Sequence, residues 1–196
     1  MSTQSPNHGY VAGRGLLPTL ETPRLILRPF RLADAPDVQR LAGERAIAET
    51  TATIPHPYPD GLAEEWISNL TDQFARGENL TLAVTRRADG ALLGAISLEI
   101  NAAMQRAELG YWIGKPFWNH GYGSEAARAL VRHAFDVLHL RRVFAQQFGR
   151  NPASGKVLQK AGLRHEGVLR GHIVKWGTAD DIHVYGALRD EWLDSG

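Results

Sequence analysis

Two short stretches combine residue types suited to holding a polyanion. In "WNHGYGSEAARALVRHAF", residues 118–135, two glycines flank Tyr122 just before a run with helical periodicity. Ala126, Ala127, Leu130, Val131, Ala134 and Phe135 recur on one side, with Glu125, Arg128, Arg132 and Asp136 on the other. That spacing predicts an amphipathic helix. The first turn of a helix carries unsatisfied N–H groups and a partial positive charge. Gly121 and Gly123 let phosphate oxygens approach those groups with no Cβ in the way, next to Ser124, and Asn119 and His120 add side-chain donors. The plain alternative is a tight turn that binds nothing. In the second stretch, "NPASGKVLQKAG" (151–162), Asn151 suits an N-cap and Pro152 the first helical position. Capping alone explains Asn151 as well as a ligand contact would. Ser154 falls inside the first turn, where the helix dipole favours a nearby negative charge. Lys156 is a candidate phosphate contact or an ordinary solvated lysine.

Gly121-x-Gly123-x-x-Ala126 also fits a dinucleotide-binding fingerprint read literally, but its setting does not. That fingerprint follows a buried strand directly. Here "KPFWNH" intervenes, and Pro116 bars an uninterrupted ladder. About twenty residues on, where an acid should meet a ribose, stands "VLHLRRVF". No Gly-Lys-Ser/Thr follows the glycines, so a P-loop is excluded as well.

The elements that must position these residues are legible from periodicity and breakers. "RLILRPF" (24–30) reads as a strand and 33–49 as a helix with Asp34 as N-cap. "TIPHPYPDG" (53–61) has three prolines in nine residues and must be a loop, followed by a helix over about 62–76. Residues 79–86 and 91–100 form strands around an Asp89-Gly90 turn. Strands at 106–114, 141–148, 163–173 and 182–188 complete the set. The order β α α β β β α β α β β predicts an α+β domain. Its mixed, mostly antiparallel sheet is flanked by helices, with at least one parallel pair late in the chain. The Gly/Ser/Pro/Asn-rich residues 1–20 read as a flexible tail ahead of a domain at 21–196.

Composition bounds the partners. The 196 residues are 43% hydrophobic and 22% charged, as in globular chains. A net charge of +1 gives no general attraction to nucleic acid or membrane. The absence of cysteine excludes disulfides, thiolate zinc sites and a thiol nucleophile, and no metal is expected. It suits a reducing, cytoplasmic setting. Charge is uneven: between Arg141 and Lys175 eight Lys/Arg face one acid, Glu166, which suggests a basic rim or ordinary surface charge.

"ELGYWIGKPFWNHGYGSEAARALV" followed by "NPASGKVLQKAGLRHEGVLR" resembles the GNAT superfamily of acyl-CoA-dependent N-acetyltransferases, within it the Rim-type branch that acetylates protein N-termini. Three blocks occur in the family's order and spacing, over residues 21–190 or so. One departure is Trp118, where the superfamily often has Gln or Arg three residues before the first glycine. The resemblance implies acetyl-CoA as cosubstrate, with His120–Ser124 around its diphosphate and the main chain of Trp112 and Ile113 along its pantetheine. It also implies Ser154 near the sulfur, donating a proton or a hydrogen bond to the departing thiolate.

An amine must be neutral to attack. For an α-amine of pKa about 8 this costs roughly 1.4 kcal/mol at pH 7, and for a lysine near 10.4 roughly 5 kcal/mol. A weak base or a water chain therefore suffices at a protein N-terminus. Glu108, on the strand that should present the thioester carbonyl, is the first candidate base and His172 the second. Where relatives of the branch carry a glutamate this chain has Ile173 or Gln146, so water stays open as the acceptor of the proton. The resemblance also borders the amine groove with loop 53–61, including His56 and Tyr58, and helix 62–76. A turn at Trp176-Gly177 lies nearby. A protein N-terminus, a small-molecule or antibiotic amine, and a non-catalytic acyl-CoA sensor all remain open, as does the choice between monomer and homodimer.

Overall fold

The alternation read from the sequence organises an eight-stranded sheet in the computed structural model, which describes residues 16–193. Of the expected tail, 1–20, the first fifteen residues lie outside this range. Its last residue, Leu20, belongs to a short strand β1 (Leu20–Glu21) paired with β2 (Leu25–Arg28). The sheet continues through β3 (Asn79–Arg86), β4 (Leu92–Asn101), β5 (Arg106–Ile113), β6 (Arg142–Phe148), β7 (Arg164–Lys175) and β8 (Thr178–Leu188). The spatial order is β1-β2-β3-β4-β5-β6-β8-β7. Every neighbouring pair is antiparallel except β5–β6.

Helices cover both faces. On one face lie α4 (Tyr122–Asp136), α5 (Pro152–Lys160) and the short α6 (Arg189–Leu193). Ala126, Ala127, Leu130, Val131, Ala134 and Phe135 of α4 are at most 1% exposed, against Leu25, Leu27, Leu82, Ile96 and Leu98. Each large side chain so buried contributes about 1.5–3 kcal/mol. On the other face, α1 (Ala35–Ala42), α2 (Arg45–Ala48) and α3 (Leu62–Ala75) form a smaller core around Val38, Ala63, Ile67 and Ala83. Among the described residues no helix is long and apolar enough to cross a membrane.

The expected helix over 33–49 is in fact a 3-10 turn (Leu32–Asp34) followed by α1 and α2, broken at Gly43. A Cβ at Gly43 would stand 2.4 Å from the Gln39 carbonyl oxygen, so the chain turns where only glycine fits. Asp34 does not cap α1. Its carboxylate instead accepts from both terminal nitrogens of Arg28 at 2.8 Å and from the Arg31 amide, which ties β2 to the helical layer. The sequence reading also missed α6 and the full length of β7 and β8, which meet in a hairpin at Trp176–Gly177.

Candidate active site

The site arises from the one parallel pairing. β5 and β6 are in register only over Arg106–Arg142, Ala107–Val143 and Glu108–Phe144. Beyond that row each strand continues with no partner on the facing side, so a wedge opens between Leu109–Ile113 and Ala145–Phe148. The amide of Gly114 donates to Leu93 O at 2.8 Å, which fixes the antiparallel alternation of β5 against β4. Gly110 and Trp112 therefore spend their main-chain groups on β4, whereas Leu109, Tyr111 and Ile113 turn theirs to the wedge. Of the two residues expected to offer main-chain groups there, only Ile113 does. Its carbonyl already accepts from the Trp118 indole N–H at 2.5 Å, leaving its amide for the wedge. Trp112 pairs with Ala95 and packs its ring against the smaller core.

At the mouth of the wedge sits the start of α4. Gly121 adopts φ +79°, the left-handed geometry that glycine tolerates, and no side chain caps the helix. Glu125 N already bonds Gly121 O, so the amides of Tyr122, Gly123 and Ser124 are the free donors of this turn. A Cβ on Gly123 would point to Ile113, Val157 and Tyr111, at 3.6–3.7 Å, so its bare Cα faces the wedge. Asn119 (φ +64°) and His120 are exposed beside it, His120 stacked on Tyr122 with ring centres 5.7 Å apart.

Arg24, a residue the sequence reading passed over, braces this loop. Its Nη1 donates to His120 O at 2.9 Å, its Nε to Glu125 Oε2 at 2.6 Å, and its guanidinium lies 5.0 Å from the Tyr122 ring centre. Burial pushes the Glu125 carboxyl up. The Thr22 hydroxyl, the Arg24 amide and the Arg24 guanidinium outweigh that and hold it below the usual carboxylate range.

Inside the wedge, α5 presents Ser154. Asn151 caps this helix, its Oδ1 accepting from Ser154 N at 3.3 Å. The Ser154 hydroxyl lies 2.7 Å from the Tyr111 hydroxyl, a bridge from β5 across the opening. Burial pushes Tyr111 up to about 12, with the Ser154 hydrogen bond opposing, so the phenol keeps its proton at neutral pH. Alternation in "ELGYWIG" already sets Tyr111 on the face opposite Glu108, and that was the available signal for it.

The candidate bases part company. Glu108 stands in the last paired row, at the apex of the wedge and on the face opposite α4, beside a cleft of about 220 Å³ shared with Glu99 and Arg106. Burial, then the Glu99 carboxylate, raise its pKa, with Arg106 opposing. His172 is exposed in the irregular stretch of β7 between Leu169 and Ile173, on the strand two beyond β6. Gln146 is exposed on β6. The basic run disperses: Arg142 pairs with Glu166, Arg150 with Asp180 and Arg164 with Glu191, and Lys175 is buried. Lys156 stays exposed on the first turns of α5 without an acidic partner among the described residues.

A wedge between two parallel strands, flanked by uncapped helix amides and a hydroxyl pair, suits an acyltransferase that holds a long phosphorylated thioester by its backbone. Comparison with known proteins agrees. The family model "Acetyltransferase (GNAT) domain" matches residues 24–164, and the chain belongs to that family. The uncharacterized N-acetyltransferase YoaA of Bacillus subtilis is 30% identical, over 89% of this chain and 98% of its own length. The ribosomal-protein-serine acetyltransferase of Escherichia coli is 31% identical, over 50% of this chain and 56% of its own. The solved structure of Mycobacterium smegmatis RimJ in complex with CoA-disulfide shares the fold, with a TM-score of 0.79 at 23% identity over 89% of each chain. The protein is thus an N-acetyltransferase, with acetyl-CoA as its cosubstrate.

Proposed function

We propose that the chain moves the acetyl group of acetyl-CoA to the α-amine of a protein N-terminus by direct attack. The observation that carries this is the wedge itself, open between β5 and β6 with free amides at one mouth and the Tyr111–Ser154 bridge within. Acetyl-CoA supplies an activated thioester. The amides of Tyr122, Gly123 and Ser124 hold its diphosphate, with Asn119, His120 and Lys156 as outer contacts. The Ile113 amide polarises the acetyl oxygen, as an oxyanion contact. The Tyr111 hydroxyl, 2.7 Å from Ser154 Oγ and 3.2 Å from Ser154 O, holds the serine in place, and the Ser154 hydroxyl donates to the departing sulfur, whose unperturbed pKa of about 8.5 demands only modest help.

Glu108 receives the proton of the amine, directly or through water, from the face opposite α4. An N-terminal α-amine needs little deprotonation at neutral pH, which suits one partly buried carboxylate and no stronger base. The similarity to a ribosomal-protein-serine acetyltransferase supports the same acceptor class. The test is mass spectrometry on a library of peptides with free N-termini, with polyamines and aminoglycosides alongside. Acetylation confined to peptide α-amines is expected. Acetylation of only the small amines sinks the peptide assignment, and acetyl-CoA binding without turnover on any amine would leave a sensor instead.

A further inference from the structure

On the face opposite α4, the β7–β8 hairpin touches the loop between α2 and α3. The β7–β8 hairpin runs past the end of β6: Phe148 pairs with Ile182, while Ile173–Lys175 and Thr178–Asp180 extend beyond. At its tip Lys175, only 9% exposed, donates to Ile54 O at 3.0 Å and Ala52 O at 3.3 Å. Those carbonyls belong to the loop between α2 and α3, on the β4–β5 side of the opening. The hairpin and the loop therefore join across it, and an amine arriving from this face passes beside their junction.

That junction is cationic and aromatic. The Trp176 indole, 46% exposed, has Lys175 Nζ 5.4 Å from a ring centre and the Arg45 guanidinium at 5.3 Å, with the His56 ring centre at 6.2 Å. The Lys175 ammonium meets carbonyl oxygens and no carboxylate among the described residues, and burial lowers its pKa from the ordinary lysine value, so the exposed Arg45 guanidinium is the stronger charge at the entrance. Among the described residues Arg45 has one ion-pair partner, Glu49, at a loose 4.0 Å; their side chains are 72% and 43% exposed, and screening leaves little of the attraction. On the hairpin, Asp180 is held by Arg150 at 2.6 Å, and Asp181 accepts from the Gly171 amide at 2.7 Å.

We infer that Arg45, Lys175 and Trp176 form a charge filter at the amine entrance, favouring acceptors that carry a carboxylate near the reacting nitrogen and turning away polycations. The inference rests on the proposed acetyl transfer to amines and names the acceptor's chemistry more closely. The carboxylate comes from an acidic residue after the N-terminus of a peptide, or from the α-carboxylate of a free amino acid.

The experiment follows CoA-thiol release with four acceptors: C-terminally amidated Ser-Glu-Glu and Ser-Lys-Lys peptides of equal length, free glutamate and spermidine. Arg45→Glu is the variant, since the Arg45 side chain is 72% exposed and its replacement leaves the core intact. Ser-Glu-Glu is expected to exceed Ser-Lys-Lys about tenfold in kcat/KM at low salt, as befits one or two screened charge pairs. That ratio should shrink in high salt and vanish or invert in Arg45→Glu. Turnover of glutamate alone keeps the filter and discards the peptide acceptor. Equal or better use of Ser-Lys-Lys or spermidine, or an unchanged ratio in Arg45→Glu, discards the filter and leaves acetyl transfer standing. No turnover with any of the four acceptors, while acetyl-CoA binds by calorimetry, overturns both.

Discussion

Replacing Arg24 with alanine removes three contacts at once: the bond to His120 O, the ion pair with Glu125 and the cation over Tyr122. It also leaves a carboxylate in the first turn of α4, beside the place assigned to the diphosphate. Two unit charges about 8 Å apart at an effective dielectric near 40 repel by roughly 1 kcal/mol. Loss of the bond that fixes His120 adds about 0.5–1 kcal/mol. The Arg24 side chain is 51% exposed, so solvent screening trims the electrostatic part. A net loss of about 1.4 kcal/mol, or tenfold in acetyl-CoA affinity, follows. Titration calorimetry measures it directly. Acetyl-pantetheine, which has no diphosphate, supplies the control and should keep its KM. Adding Glu125→Gln to the alanine variant removes the stranded charge and should restore part of the affinity. An unchanged Kd for acetyl-CoA, or an equal loss with acetyl-pantetheine, would refute the reasoning.

Other expectations bear on the wedge. Ser154→Ala should lower kcat at least severalfold with acetyl-CoA affinity within about twofold, since the hydroxyl serves the leaving sulfur and not the diphosphate. Tyr111→Phe should act in the same direction, because it breaks the 2.7 Å bridge. Glu108→Gln should cut kcat/KM about a hundredfold and abolish an acidic limb whose midpoint lies above the ordinary glutamate value. The raised Glu108 pKa means that the folded state holds this proton more tightly than the unfolded chain. Its contribution to stability is therefore greatest below the unfolded glutamate pKa and is lost as pH climbs through the raised value, so Glu108→Gln should raise Tm at pH 7. Gly155→Ala would set a Cβ 2.3 Å from Gln147 Oε1 and 2.5 Å from the Tyr185 hydroxyl, and should destabilise by about 1–3 kcal/mol in thermal unfolding.

Much of the site could be read from the chain because its local signals are backbone signals. Gly121 and Gly123 before an amphipathic run give the uncapped start of α4, and Asn151-Pro152 gives the cap that holds Ser154. These depend on a few adjacent residues. Arg24 could not be found this way, since it reaches a helix about a hundred residues further along the chain and looks like any polar residue leading into a strand. The turn at Trp176-Gly177 was legible, but the Lys175 contact beside it was hidden for a related reason. Lys175 looks like a surface lysine until its carbonyl partners, more than 120 positions away, are brought to it. Alternation did limit Trp112 and Ile113 to opposite edges of β5, but which edge faced the wedge required the register with β4. The helix over 33–49 failed at Gly43, where the break depends on a close approach to Gln39.

A crystal structure with coenzyme A bound tests the central claim most directly. The account predicts diphosphate oxygens within hydrogen-bonding distance of the amides of Tyr122, Gly123 and Ser124. It also predicts the sulfur between β5 and β6, near the Ser154 hydroxyl. Coenzyme seated away from the start of α4, or with its sulfur outside the wedge, would contradict it.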